Sequence, residues 1–300
     1  MNATAQATAR DRLEQVMGPF PLPTGHREAP PYELGEQVSA DDHVRTEIRY
    51  AHPDGSQVAG YLLRPNGPAP EGGWPAALAL HGTQLELGSR TVVGLGGKAH
   101  RDYALRLVAD GWAVLAPHYP TMGGYDPGFD GYRSGTMKAI TDNVVGLDLL
   151  LSLPEVNGSA ALAMGHSLGG HNSLYTACFD PRIRAVVTSC GFDSFQDYQG
   201  GDLTGWLQQR YMPHLADQDP PAFDFDDVLT VLADRAVHVT APLHDDNFSW
   251  RSVDRLVVAT EDARQRAGGR IVVRHPDCAH DFPLELQAEA IAFAREALSG

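Results

Sequence analysis

Long apolar runs are missing from this sequence. None approaches the roughly 20 residues that a helix needs to cross a bilayer, so no membrane span is expected. No secretory signal is expected either. The N-terminus, MNATAQATARDRLEQVMGPF, carries charges at Arg10, Asp11, Arg12 and Glu14 where such a signal would be apolar. It reads instead as a short amphipathic helix with Leu13, Val16 and Met17 on one face. Cysteine is scarce: Cys178, Cys190 and Cys278, odd in number and widely spaced, give no disulfide framework and point to buried free thiols in a reducing compartment. A cytoplasmic protein is the expectation. Positive charge is in deficit as well, 23 Lys and Arg against 38 Asp and Glu for a formal net charge of −15. A surface that acidic repels phosphate backbones, which excludes nucleic acid as an expected partner.

What is present is enough to build a sizeable core, with 43% of 300 residues hydrophobic. RTEIRYAHPDGSQVAGYLLRP, residues 45–65, shows two extended runs around Pro53-Asp54-Gly55-Ser56 and predicts a β-hairpin. Beyond a Pro/Gly-rich link over 66–73, apolar runs alternate with amphipathic ones. PAALALHG, WAVLAPHYP, ALAMGHS, IRAVVTSCGF, AVHVTAPLH and RIVVRHPD read as strands. RDYALRLVADG, GTMKAITDNVVGLDLLLSLP, LGGHNSLYTACFD, FDDVLTVLADR, WRSVDRLVVATEDARQRAG and PLELQAEAIAFAREALS read as helices. Strands apolar throughout, alternating with amphipathic helices, predict a mostly parallel sheet covered on both faces, with the hairpin adding antiparallel strands at one edge. The division expected is an N-terminal helical or extended arm over 1–44 and an α/β domain over 45–300. One segment breaks the rhythm: 192–225 lacks clear periodicity and is rich in aromatics, Phe192, Trp206 and Tyr211 among them. It reads either as an irregular loop packed by its own rings or as a cap-like insertion over a pocket.

Gly165-His166-Ser167-Leu168-Gly169 is the one G-x-S-x-G in the chain, and it falls at a predicted strand-to-helix junction. At such an elbow the serine adopts a strained backbone, glycines two positions away on either side relieve crowding, and the next helix aims its N–H groups at the hydroxyl. Gly170 is expected to let that helix pack close to the sheet. A serine needs a base, and the base needs an orienting carboxylate. His280, between the last predicted strand and the last helix, is the candidate base, with His275 its nearest rival. The acid belongs in a loop after an intervening strand: Asp245 or Asp246 after the penultimate strand, ahead of Asp193 one strand earlier. Oxyanion donors are expected in the N–H groups of Leu168 and of Thr83, in the loop after the first parallel strand. His166, Phe192, Trp206, Tyr211 and Phe248 are the expected pocket residues.

Serine elbow, acid and histidine in this order resemble the α/β-hydrolase superfamily. LHGT, GHSLGGHNSL, APLHDDNF and HPDCAHDFP together resemble its dienelactone-hydrolase and acetyl-xylan-esterase-like branch, over about residues 45–299. The resemblance implies the α/β-hydrolase fold, a small-molecule ester substrate and no cofactor. In that branch the acid opens a D-x-N-F sequence, here Asp245 with Asn247 and Phe248, which prefers Asp245 over Asp246. The dienelactone enzymes use a cysteine nucleophile, whereas this elbow carries serine. An acyltransferase or cyclase with the same triad is the alternative. So is a prolyl-oligopeptidase-like peptidase, although this chain has no propeller-sized N-terminal domain to gate a peptide. GLGGK over 94–98 fails the phosphate-loop spacing, and His275, Cys278 and His280 lack a matching ligand cluster, so no metal is expected. The oligomeric state is left open, a homodimer included.

Overall fold

A nine-stranded sheet forms the middle of the protein, in a computed structural model that describes residues 2–23 and 27–299. Within the expected arm over 1–44 and domain over 45–300, residues 1, 24–26 and 300 lie outside the described residues. The strands are β1 (Tyr32–Ser39), β2 (His43–Ala51), β3 (Gln57–Pro65), β4 (Trp74–Leu80), β5 (Ala113–Pro117), β6 (Val156–His166), β7 (Ile183–Ser189), β8 (Ala236–Thr240) and β9 (Arg270–Arg274). The helices are α1 (Asn2–Met17), α2 (Tyr103–Ala109), α3 (Gly135–Ser152), α4 (Leu168–Phe179), α5 (Phe225–Val231), α6 (Trp250–Ala259), α7 (Glu261–Ala267) and α8 (Leu284–Leu298).

Spatial order is β1-β2-β3-β5-β4-β6-β7-β8-β9. Pairings from β1 to β5 are antiparallel and all the others parallel. The predicted hairpin is β2–β3, paired from Ala51 with Gln57 out to His43 with Pro65. From β4 the chain steps outward to β5, then crosses back to β6 on the other side of β4. Order therefore reverses between β4 and β6, and a crevice opens at their carboxyl ends, where such sheets place their sites.

The parallel strands are apolar throughout because alternate residues feed two cores. Leu78, Leu115, Ala163, Val186 and Val237 pack on one face with α3 and α4 residues such as Val144 and Leu174. Ala77, Val114, Leu162, Ala185 and Val187 pack on the other with Tyr103 and Leu107 of α2 and Ile291 of α8. Leu13, Val16 and Met17 of α1 join the first core, as their spacing predicts. Helix α3 is buried over nearly its whole length. It starts at Ser134, whose Oγ accepts the Met137 N–H at 3.0 Å, and stops ahead of Pro154.

Two elements differ from the sequence expectation. β1, YELGEQVS, is exposed along its whole length, so no buried face imposes an apolar alternation on it. The single helix expected over 250–268 is two, α6 and α7, broken at Thr260. Its hydroxyl donates to the carbonyls of Leu256 and Val257 at 3.2 and 3.1 Å. Among the described residues no helix is long and apolar enough to cross a membrane.

Candidate active site

Ser167 stands at the turn from β6 into α4, at the β4/β6 crevice. Its backbone has φ 57° and ψ −123°, a left-handed conformation that costs a non-glycine residue about 1–3 kcal/mol. Hydrogen bonds hold it there: the Ser167 N–H donates to the Ser189 carbonyl at 2.8 Å, and its own carbonyl accepts from Gly170 N–H at 2.8 Å. The flanking glycines answer a packing demand. A Cβ on Gly165 would meet the Gly169 backbone at 2.2 Å, and one on Gly169 would meet the Leu80 carbonyl oxygen at 1.7 Å. The crowding is thus with the end of β4 and between the two glycines themselves. A Cβ on Gly170 would meet Gly191 Cα at 2.9 Å, so α4 lies against the loop after β7.

The loops after β8 and β9 bring Asp245 and His280 together. His280 Nδ1 lies 2.9 Å and 3.0 Å from the two Asp245 carboxylate oxygens. One of those oxygens also accepts the N–H groups of Asn247 and Phe248, at 2.8 and 3.1 Å. Burial favours the protonated acid, but these donors outweigh it and leave the Asp245 carboxyl below its usual range. With Nδ1 occupied, Nε2 is the nitrogen of His280 left for proton exchange. Ser167 Oγ forms no hydrogen bond among the described residues, to His280 or otherwise.

The rival residues lie elsewhere. Asp246 is exposed. Asp193 is buried and accepts the Ser249 N–H at 2.9 Å; burial, with the charges of Asp197, Asp224 and Asp245, pushes it up to about 7. His275 binds the Ala241 carbonyl and Asp254.

A clamp that the sequence did not reveal fixes the His280 loop. The Arg101 guanidinium donates to the His280 carbonyl at 3.0 Å and to Asp281 at 2.6 Å, and His100 lies 2.7 Å from the other Asp281 oxygen. Nothing in local patterning links positions about 180 residues apart. The one available signal was the pair of polar residues His100-Arg101 ahead of α2.

A cavity of about 180 Å³ opens over Ser167, lined by Thr83, Leu168, Trp206, Tyr211 and Phe248 of the expected set. His171, Tyr198, Gln208 and Asn247 complete most of the wall. His166 and Phe192 lie behind that wall. His166 packs edge-on against the His280 ring with centroids 4.7 Å apart, and Phe192 stacks on Phe225 at 5.0 Å. Phe192 is drawn inward because the 192–225 segment has its own aromatic core, in which Phe195, Trp206, Phe223 and Phe225 are each at most 5% exposed. The segment also meets the loop after β4: the Tyr211 hydroxyl lies 3.2 Å from Thr83 Oγ1. Main-chain bonds from Gly135 and Thr136 to the carbonyls of Gln209 and Tyr211 hold it in place. Among the described residues no carboxylate, lysine or arginine lines the cavity. Burial pulls His171 down to about 3, so its ring is neutral.

The fold superposes on a set of solved structures along nearly the whole length of both chains. Glucuronoyl esterase from Solibacter usitatus superposes with a TM-score of 0.71 at 14% identity, over 97% of this chain and 91% of that one. The chain has the α/β-hydrolase fold. Acetyl xylan esterase 1 from Thermoanaerobacterium sp. JW/SL YS485 shares this hydrolase fold at TM-score 0.64 and 19% identity, over 99% and 93% of the two chains. The esterase Pf2001 of Pyrococcus furiosus does so at 0.61 and 15%, over 89% and 98%. No family model matches the chain, and no curated protein matches it.

Proposed function

We propose that the protein is a serine hydrolase of neutral carboxylic esters that works through an acyl-enzyme on Ser167. The observation that carries this reading is a strained serine opening into an uncharged cavity, with the hydrogen-bonded pair Asp245–His280 from the two loops beyond it. The esterase names of the structural neighbours support it.

In this reading Ser167 Oγ attacks the acyl carbon and His280 Nε2 takes its proton. Asp245, held ionised, fixes the Nδ1–H tautomer and stabilises the imidazolium. The N–H groups of Leu168 and Thr83 bind the oxyanion, and water activated by His280 then releases the acid. The serine–histidine contact closes as substrate binds, as is common where the ligand-free site is loose. The 192–225 segment acts as a cap whose Trp206 and Tyr211 shape the pocket. With no lysine or arginine in its wall among the described residues, the cavity suits neutral groups better than anionic ones.

A fluorophosphonate should label Ser167 in the folded protein, as read by peptide mass spectrometry. p-Nitrophenyl esters should turn over fastest with short acyl chains, given a cavity of about 180 Å³. Folded protein left unlabelled, and no faster than its Ser167→Ala variant on every ester, sinks the reading. The acid assignment has its own check. Asp245→Asn should lower kcat by about a thousandfold to ten-thousandfold through loss of the correct tautomer, while Asp246→Asn stays within about twofold of the parent. Equal losses in both variants would remove Asp245 from its role.

A further inference from the structure

Two side chains beside the proposed base are not used by ester hydrolysis. His166, Cys190 and His280 present ligand atoms all within 4.8 Å of one another, the one such group of three found among the described residues. We propose that they form an inhibitory site for a thiophilic divalent cation, zinc by the chemistry of the ligands.

The geometry is near to that of a site already. An ion central to three atoms at most 4.8 Å apart sits no more than about 2.8 Å from each. Zinc takes about 2.0–2.1 Å to nitrogen and about 2.3 Å to sulfur, so side-chain shifts under about an ångström complete the contacts. Two imidazoles and a thiolate suit a borderline-soft ion, and a fourth position stays open to water.

The surrounding shell is also in place. Asp245 holds Nδ1 of His280, and Ser189 Oγ lies 3.2 Å from Nδ1 of His166, so Nε2 is the unused nitrogen of each ring. A carboxylate behind a ligating histidine orients the ring and strengthens it as a donor. Cys190 has φ 47°, a conformation that persists only where the surroundings fix it, and its thiol points to the Asp281 carbonyl at 3.3 Å. On binding, the thiol gives its proton to solvent and the sulfur–metal bond forms. The thiolate and the Asp245 carboxylate then offset the double positive charge. His166 and Cys190 are each 2% exposed, whereas the His280 side chain is 26% exposed and marks the side of entry.

The inhibitory consequence rests on the hydrolase reading: a metal on His280 Nε2 takes the lone pair that accepts the Ser167 proton. Binding itself does not rest on that reading, and the test separates them. Chelator-treated protein titrated with Co²⁺ should show a near-ultraviolet thiolate-to-cobalt band saturating at one ion per chain and bleached by Zn²⁺. Cys190→Ser, and separately His166→Asn, should lose the band or weaken metal affinity at least tenfold. In the ester assay, Zn²⁺ should inhibit reversibly to chelator, with the Cys190→Ser variant at least tenfold less sensitive. Absence of the band at stoichiometric cobalt overturns the site, and so does equal zinc affinity in parent and both variants. A Cys190-dependent band in a protein that cleaves no ester would uphold the site and remove the hydrolase reading.

Discussion

Ser167→Ala should lower kcat on a short p-nitrophenyl ester by roughly a millionfold, and leave the fold intact. Among the described residues the hydroxyl makes no hydrogen bond, and the main-chain bonds to Ser189 and Gly170 that hold the turn are independent of it. The unfolding midpoint in urea should therefore stay where it is. Groups that act as a unit are not additive. His280→Ala should cost about as much as Ser167→Ala, and the double variant little more than either. Turnover above about 1% of the parent in Ser167→Ala would mean that the nucleophile lies elsewhere. A double variant far slower than both singles would mean that the two residues act separately.

Lys138→Met should destabilise the protein by about 3–5 kcal/mol, the loss typical when one partner of a buried ion pair is removed. Lys138 of α3 is 1% exposed, and its ammonium lies 2.7 Å from both Asp54 and Asp142 and 2.9 Å from Ser56 Oγ. Tyr132 donates to Asp54 at 2.9 Å and Tyr125 to Asp142 at 3.0 Å, so the cluster ties the β2–β3 turn to the helix behind the site. Burial pushes the Asp142 carboxyl up to about 7 against the pull of Lys138, from 3.8 when unfolded. A group raised in the folded state favours folding most below its unfolded value, and that stability is lost as pH rises through the folded one. Removing the lysine extends this window upward. The deficit of Lys138→Met against the parent should accordingly be larger at pH 8 than at pH 5, read by urea denaturation at both. A deficit independent of pH would show that packing of the lysine stem, not its charge, holds the cluster.

The elements that build the site were legible wherever the residues themselves carried the constraint. Pro53-Asp54-Gly55-Ser56 announced its hairpin, and the glycines around Ser167 announced a turn that only small residues permit, with a Cβ on Gly169 falling 1.7 Å from Leu80 oxygen. What lay hidden was set by distant partners. Nothing in YELGEQVS marks a strand except the neighbour β2 that supplies its hydrogen bonds. The place of β5 between β3 and β4 depends on a crossover that no local window contains. Phe192 and Trp206 look alike in the sequence as aromatics of one irregular segment. Only the packed rings decide that the first stacks inward on Phe225 while the second reaches the pocket. Arg101 is invisible for the same reason, because its worth lies in two acceptors at the far end of the chain.

The aromatic centre of the 192–225 segment has a consequence for access. Phe225 stacks on Tyr175 of α4 with centroids 5.6 Å apart, and Phe195, Trp206 and Phe223 belong to the same core as the central sheet. A hinged lid must peel away as a body, which here would tear open the interior of the protein. On the hydrolase reading, ligands should therefore exchange past individual rings of the pocket wall, such as Tyr211, with the segment left in place. Turnover should then rise smoothly with ester concentration, with no jump in rate where an oil–water interface forms.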